Sequence, residues 1–205
     1  MRGIGRLKSF IENLRILTTG YVPQRIRPAE FDRLFESGAY DRLAGASERA
    51  RFSLIVGHRD VLDAERILDI GCGQGVLAQR LGRARYQRYV GLDISRVAIE
   101  QARHAVPDAR NSYIVSDVAS FTTEDKFDLI VFNECLYHMD DPAASVRHCL
   151  AFLAPGGHVS ISMYDTARSR AVWPLLDMLE TVESTEIVQR RQARWTVKLM
   201  RPRSA

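Results

Sequence analysis

The stretch ILDIGCGQGVLAQRL, residues 67–81, runs from an apolar segment with Asp69 near its end, through a turn carrying Gly71, Gly73 and Gly75, into a helical pattern. Glycine permits left-handed backbone and close approach of a ligand, and the N–H groups of a first helical turn lack partners, so such a turn suits a nucleotide-like molecule. Two more acids stand in matching places, Asp93 in YVGLDIS and Asp117 in YIVSDV, at a uniform spacing of 24 residues from Asp69. One strand-plus-helix unit lies between each pair, which sets all three at the carboxyl edge of neighbouring strands, where open α/β sheets bind ligands. A single acid after a strand is ordinarily a helix cap. Three in series around a glycine turn point to a ligand instead, with Asp93 placed to accept from ribose hydroxyls and Asp117 from an adenine amino group. The dinucleotide fingerprint G-x-G-x-x-G does not fit, because counting from Gly71 its third glycine would stand at Val76, and Gly75 comes one residue early. An NAD-dependent oxidoreductase is therefore the poorer reading.

The elements that must hold these residues are legible from position 66 onward. Short β-type runs alternate with helical stretches: RILDIG, VLAQRLGRA, YVGLDI, RVAIEQARHA, YIVSD, FDLIVFNE, AASVRHCLAFL, HVSISMY and a last pair near Thr185 to Met200. This alternation predicts an α/β domain with a largely parallel sheet, and the continuously apolar runs ILDI and LIVF predict strands covered on both faces. Pro142 after Asp140-Asp141 marks a helix start; Pro155-Gly156-Gly157 is expected to end the preceding helix and turn the chain into a strand over 158–163. Residues 1–62 read as an N-terminal helical cap, with residues 63–205 as the ligand-binding unit. The cap opens with a basic amphipathic helix near residues 4–17, passes a linker with Pro23 and Pro28, and continues through FDRLFESGAYDRL to a helix that reaches about His58 to Leu62. The first helix is expected to pack on its own domain or on a second copy in a homodimer, a membrane surface being the less favoured partner.

Composition bounds the rest. At 205 residues, 46% hydrophobic and 26% charged, the chain has room for one compact core plus short appendages. No apolar run approaches the ~20 residues of a membrane span. Three cysteines with no C-x-x-C pair suggest neither a disulfide scaffold nor a zinc site and suit a reducing cytoplasm. A net charge of +4, without a dense basic stripe, does not favour nucleic acid as partner.

In type and in order, LDIGCGQG, GLDIS, SDV, FDLIVFNECLYHMDDP and LAPGGHVSI, spanning residues 66 to about 163, resemble the class I S-adenosylmethionine-dependent methyltransferases. The resemblance implies a Rossmann-like seven-stranded, mostly parallel sheet with helices on both faces and an antiparallel last strand, here ARWTVKLMRP. It implies S-adenosyl-L-methionine as cofactor, with the methionine end near Asp69, Gly71, Cys72 and Gly73, the ribose on Asp93, the adenine between Ile94, Asp117 and Val118, and Asn133 at the same edge. FDRLFESGAYDRL is similar to the segment that lies over the cofactor in small-molecule members of the family.

Sulfonium methyl transfer is an in-line displacement, so the protein must mainly align the nucleophile and exclude water. A hydroxyl acceptor must also lose a proton, which calls for a base, whereas an amine needs only to be held deprotonated. The loop Asn133 to Asp141 is where the family's sheet edge meets both partners; His138 is the candidate base, with Tyr137 and Glu134 as positioning groups. His58 is expected to face the pocket too, while His104, His148 and His158 read as surface or structural. Cys135 reads as a small buried thiol. No metal is expected, since Asp140 and Asp141 sit where a helix start favours acids. The expected function is O-methylation of a small molecule, a saccharide or secondary-metabolite hydroxyl. N-methylation of a small amine or amino sugar is the alternative, and a noncatalytic cofactor-binding partner protein the rival of a different class. The asparagine-proline-proline-tyrosine motif of planar-nitrogen methylation is absent, Asn133-Glu134-Cys135-Leu136 standing in its place.

Overall fold

The computed structural model describes residues 15, 16, 18, 20–23, 26–82, 86–189 and 193–203. The basic helix expected near residues 4–17 lies outside the described residues except for Arg15 and Ile16. From Pro28 onward the helices are α1 (Pro28–Glu36), α2 (Arg49–Leu62), α3 (Val76–Leu81), α4 (Arg96–Ala105), α5 (Pro142–Leu150) and α6 (Ala167–Val172). The strands are β1 (Arg66–Ile70), β2 (Arg88–Asp93), β3 (Asn111–Val115), β4 (Phe127–Asn133), β5 (Leu153–Tyr164), β6 (Leu179–Val188) and β7 (Arg194–Pro202).

These seven strands make one sheet in the order β3-β2-β1-β4-β5-β7-β6. Pairing is parallel from β3 to β5, and β7 runs antiparallel to both β5 and β6. The chain winds outward from β1 to β3 and then returns to the other side of β1 with β4, so the switch point lies between β1 and β4, the place where a crevice opens at the strands' carboxyl ends. Both faces are covered, as the continuously apolar strands predict. Leu68, Ile70, Ile130 and Phe132 pack with Val146 and Cys149 of α5 and Val172 of α6. Ile67, Leu129 and Val131 alternate to the other side and pack with Phe52 and Ile55 of α2, Leu77 of α3 and Ile99 of α4. Phe132 is 1% exposed, and truncating so buried an aromatic removes ~3–5 kcal/mol, so the platform under the strand ends is stiff.

Local signals set the boundaries that matter for the crevice. Asp141 caps α5, its Oδ1 accepting from Ala144 N at 2.8 Å, with Pro142 at the first helical position. The Pro155-Gly156-Gly157 expectation needs correction: α5 has already ended at Leu150, and these residues fall inside β5. The β4–β5 register jumps there from Phe127 opposite Leu153 to Leu129 opposite His158, and Gly156 takes φ +76°. The turn chemistry is spent on a bulge in the strand. Glycine and proline punctuate the chain in either setting, so sequence alone does not separate the two.

Before β1, α1 crosses toward the carboxyl edge. Asp32 on its face accepts from Ser95 Oγ at 2.6 Å and from Val97 N at 3.2 Å, so α1 is tied to the start of α4. Ser95 in turn caps α4 by accepting from Ala98 N at 3.1 Å. Further tethers hold the preceding segment: Tyr21 donates to Met139 O at 2.5 Å, and Arg168 donates to Val22 O.

Candidate functional site

The turn after β1 is held by its own backbone. Gly71 N and Cys72 N both donate to Leu92 O, at 2.8 and 2.9 Å, which draws the turn against β2. Gly71 adopts φ +71°, and a Cβ there would stand 2.7 Å from Cys135 Cβ, so both conformation and space demand glycine. α3 behind the turn is only six residues long, so the ligand-facing features are the turn and the acids rather than a long helix start. Asp93 ends β2 and accepts from Gly73 N at 3.0 Å and Ser95 N at 2.9 Å, one on each carboxylate oxygen. Burial nonetheless raises its pKa, the backbone donors acting against this. Asp69 is buried beside it. Its Oδ2 accepts from Tyr89 Oη at 2.5 Å, whereas Oδ1 has no partner among the described residues. Burial pushes its pKa up to about 7, against the pull of the Tyr89 hydrogen bond. Asp117, the third of the series, is exposed at the rim and caps the short helix Val118–Ser120 through Ala119 N at 2.9 Å.

The loop after β4 closes the opposite wall. Glu134 sits at φ +61°, a backbone region that side chains other than glycine rarely occupy, and its carboxylate is fully engaged. Oε1 accepts from Ser162 Oγ at 3.0 Å; Oε2 accepts from Tyr164 N at 3.0 Å and from Tyr137 Oη at 2.7 Å. Glu134 thus ties the end of β4 to the end of β5 and anchors Tyr137. The His138 ring lies between aromatic neighbours, with the Tyr137 centroid 4.5 Å and the Phe31 centroid 5.8 Å away. Burial lowers the His138 pKa to about 4. The imidazole is therefore neutral at pH 7 but weakly basic. Cys135 donates to Ile70 O at 3.1 Å, and burial drives its pKa far up, so it is the inert thiol its size suggests.

These walls face one cleft of about 1430 Å³, lined by all of the sequence-expected site residues, namely Asp69, Gly71, Cys72, Gly73, Asp93, Ile94, Asp117, Val118, Asn133, Glu134, Tyr137 and His138. A model of the methyltransferase domain family matches residues 25–200, the glycine turn, the acid series and both walls included. The chain belongs to the class I S-adenosylmethionine-dependent methyltransferases. Ubiquinone biosynthesis O-methyltransferase of Alkalilimnicola ehrlichii is 40% identical over 106 residues, 49% of this chain and 42% of that protein. The protein of the same name in Proteus mirabilis is 32% identical over 130 residues, 62% of this chain and 52% of its own length. The chain thus spans about half the length of the curated relatives it matches. Among solved structures, the N-methyltransferase NodS of Bradyrhizobium japonicum WM9 in complex with S-adenosyl-L-homocysteine aligns with TM-score 0.68 and 24% identity over 80% of this chain and 91% of that one, a likeness of fold.

The cleft of this methyltransferase fits its family's cofactor in three particulars. The partnerless Asp69 Oδ1 offers a buried acceptor to an ammonium group. The Asp93 carboxylate, with about four lone-pair sites and two taken, keeps capacity for ribose hydroxyls. Gly71 leaves room where a side chain would meet Cys135. Sequence reasoning missed Arg51, a cation 2% exposed on α2 that lines the cleft. It donates through Nε to Glu48 Oε2 at 2.8 Å and through Nη1 to Asn133 Oδ1, and its guanidinium lies 4.4 Å over the Phe52 ring. It also missed Asp32 and the aromatic pair Tyr164 and Trp195, centroids 5.1 Å apart at the far side of the cleft. Asp32 and Trp195 lie in segments that the resemblance covers, but no spacing singles these residues out, and only the fold brings them together. His58 is a correction in the other direction. It is buried, with Nδ1 2.9 Å from Ser160 Oγ and Nε2 3.8 Å from Glu183, beneath β5 rather than in the cleft. His148 lines the cleft but bonds Phe121 O at 2.8 Å, which suits its structural reading. Among the described residues no group of His, Cys, Asp and Glu could hold a metal ion, and no helix is long and apolar enough to cross a membrane.

Proposed function

We propose that this methyltransferase moves the methyl group of S-adenosyl-L-methionine to a hydroxyl oxygen of a small molecule, a saccharide or a secondary metabolite, in the cytoplasm. The observation that carries the reading is the single cleft with the acid-and-glycine cradle on one wall and the Glu134–Tyr137–His138 loop on the other. Pockets for one small ligand run to ~300–1,000 Å³, so about 1430 Å³ leaves space for cofactor and acceptor together. Oxygen is favoured over nitrogen by the two curated relatives, both named as O-methyltransferases.

When bound, the cofactor supplies an electrophilic methyl carbon on a cationic sulfur. In this reading Asp69 and Arg51 hold the ammonium and carboxylate of its methionine end, Asp93 holds the ribose, and Asp117, Ile94 and Val118 border the adenine. The buried Asp69 carboxylate presents negative charge to the ligand's ammonium, and Asp93 accepts from neutral ribose hydroxyls. Phe31 and Phe35 of α1 roof the cleft and keep water from the reacting atoms.

The test is transfer of labelled methyl from the cofactor to catechol, methyl α-glucoside and benzylamine, with the mass of each product recorded. An O-methylated product is expected. Methylation of benzylamine alone would replace oxygen by nitrogen as the acceptor, and tight S-adenosyl-L-homocysteine binding with no methyl product at all would favour a noncatalytic partner protein.

A further inference from the structure

The Tyr137 hydroxyl is committed to a carboxylate that, among the described residues, has no cation bonded to it. Its Oη donates to Glu134 Oε2 at 2.7 Å, and the other donors to that carboxylate, Ser162 Oγ and Tyr164 N, are neutral. The charged and titratable groups around Glu134 are Tyr137 on its own loop, Cys135 beside it, and Arg51 across from α2, whose guanidinium bonds Glu48 and Asn133. Tyr137 and Glu134 both line the cleft. A phenol that donates inward to a carboxylate keeps oxygen lone pairs with which to accept a hydrogen bond.

We propose that Tyr137 and Glu134 are the proton-accepting pair of the reaction: the acceptor's hydroxyl proton passes to Tyr137 Oη while the phenolic proton passes to Glu134 Oε2. This rests on the reading that the acceptor is a hydroxyl. The balance closes. A carbon–oxygen bond forms, the carbon–sulfur bond breaks with its electron pair left on sulfur, the sulfonium charge disappears, and the carboxylate becomes a neutral acid. Tyr137 ends with the number of protons it began with, so it is the residue that touches the acceptor, and Glu134 is the store.

Three features favour this pair over His138. Glu134 is held in its orientation by two further hydrogen bonds and by a left-handed backbone, so the receiving oxygen is placed before the substrate arrives. Burial raises its pKa toward the working range, where a proton acceptor is more effective, while burial lowers His138 to about 4. The His138 ring is packed against the Tyr137 and Phe31 rings, which suits a wall of the site.

The experiment is steady-state methylation of catechol and methyl α-glucoside, with product masses, as a function of pH for the wild type, Tyr137→Phe, Glu134→Gln and His138→Asn. Each variant is also titrated with S-adenosyl-L-homocysteine and melted. Tyr137→Phe and Glu134→Gln should lower kcat by ~10²- to 10⁴-fold. S-adenosyl-L-homocysteine affinity should stay within a few-fold, because Gln with its oxygen in the Oε2 place still accepts from Tyr164 N and Tyr137 Oη, while its amide nitrogen donates to a turned Ser162 hydroxyl. The acid limb of kcat should persist in His138→Asn and be lost in Glu134→Gln. An O-methylated product with turnover near wild type in Tyr137→Phe overturns the pair, and so does an acid limb lost in His138→Asn but kept in Glu134→Gln. If Glu134→Gln loses affinity and melting temperature in step with rate, its role is only to shape the loop, and the proposal fails. If the wild type binds S-adenosyl-L-homocysteine yet gives no O-methyl product, the hydroxyl reading itself falls and the pair's role with it.

Discussion

Replacing Asp69 by Asn should stabilise the ligand-free protein and weaken its hold on the cofactor. Asp69 is buried, with one oxygen bonded by Tyr89 and the other partnerless. Its pKa rises from the ordinary 3.8 to about 7, with burial as the main cause. The unfolded chain therefore binds fewer protons than the folded one between those values, so this group's contribution to stability falls as pH rises through the window and levels off above it. At 1.36 kcal/mol per pH unit, a carboxyl moved from 3.8 to about 7 takes about 4 kcal/mol from the fold once fully ionised. Asparagine removes that charge and still accepts from Tyr89 through its carbonyl oxygen, but its amide nitrogen takes over the partnerless place, an unpaired donor that costs ~1–3 kcal/mol.

The net gain expected at pH 8 is ~1–3 kcal/mol, which for a chain of this size raises the melting temperature by ~3–9 °C. At pH 5.5, midway through the window, only about 2 kcal/mol of that loss is present, so the gain should shrink to within ~1 kcal/mol of zero. His58 and His138, whose pKa values burial lowers, add stability as pH rises, the opposite slope. They are common to both proteins and cancel in the difference between the two pH profiles. Titration with S-adenosyl-L-homocysteine at pH 8 should show affinity lower by ~1.5–3 kcal/mol, the range for a hydrogen bond to a charged group. Scanning calorimetry at the two pH values and the titration decide it. A variant less stable than wild type at pH 8, or one with unchanged affinity, would refute the reasoning that this carboxylate is kept for an ammonium group.

Asp93→Ala should weaken S-adenosyl-L-homocysteine by ~1.5–3 kcal/mol in calorimetry and lower the melting temperature as well, since it leaves the part-buried Gly73 N and Ser95 N without their acceptor. Gly71→Ala should abolish detectable cofactor binding, because its Cβ would stand 2.7 Å from Cys135 Cβ on a backbone at φ +71°; micromolar binding in that variant would mean the turn can shift at little cost. Asp32→Ala removes two hydrogen bonds between α1 and the start of α4, and should speed S-adenosyl-L-homocysteine dissociation ~5- to 100-fold in stopped-flow fluorescence. An unchanged off-rate would show that α1 does not govern exit from the cleft.

The sheet is largely legible because its central strands β1 and β4 are apolar on both faces and its acids recur at one interval, so period and spacing alone place Asp69, Asp93 and Asp117 on one edge. The glycine turn was legible for the same local reason, since φ and close approach at Gly71 restrict that position. Long-range pairings left no such mark. Arg51 and Asn133 are 82 residues apart, and Asp32 and Ser95 are 63 apart; each pair meets only because α2 and α1 are laid over the strand ends. His58 shows the converse failure. Its place just before β1 in sequence order suggests that it faces the crevice, while its position on α2 sets it against Ser160 of β5. The bulge at Pro155 to Gly157 was hidden because the same residues write a turn and a bulge.

The site sets three unusual residues side by side, two of them against local preference, and they belong together. Gly71 and Glu134 both take left-handed backbone, Asp69 is a carboxylate buried with one oxygen unpaired, and all three lie on the adjacent ends of β1 and β4 at the switch point. The Glu134 backbone and the buried Asp69 carboxylate lower the stability of the ligand-free fold and are tolerated because the sheet beneath is packed on both faces, whereas Gly71 takes its φ without strain. Cys135 connects them: its thiol donates to Ile70 O, and its Cβ occupies the space that only a glycine at 71 leaves free. A substitution that relaxes one of these residues therefore shifts the others. The conflict with local preference is thus concentrated at the adjacent ends of β1 and β4, on the wall of the cleft, and the strands beneath follow ordinary α/β packing.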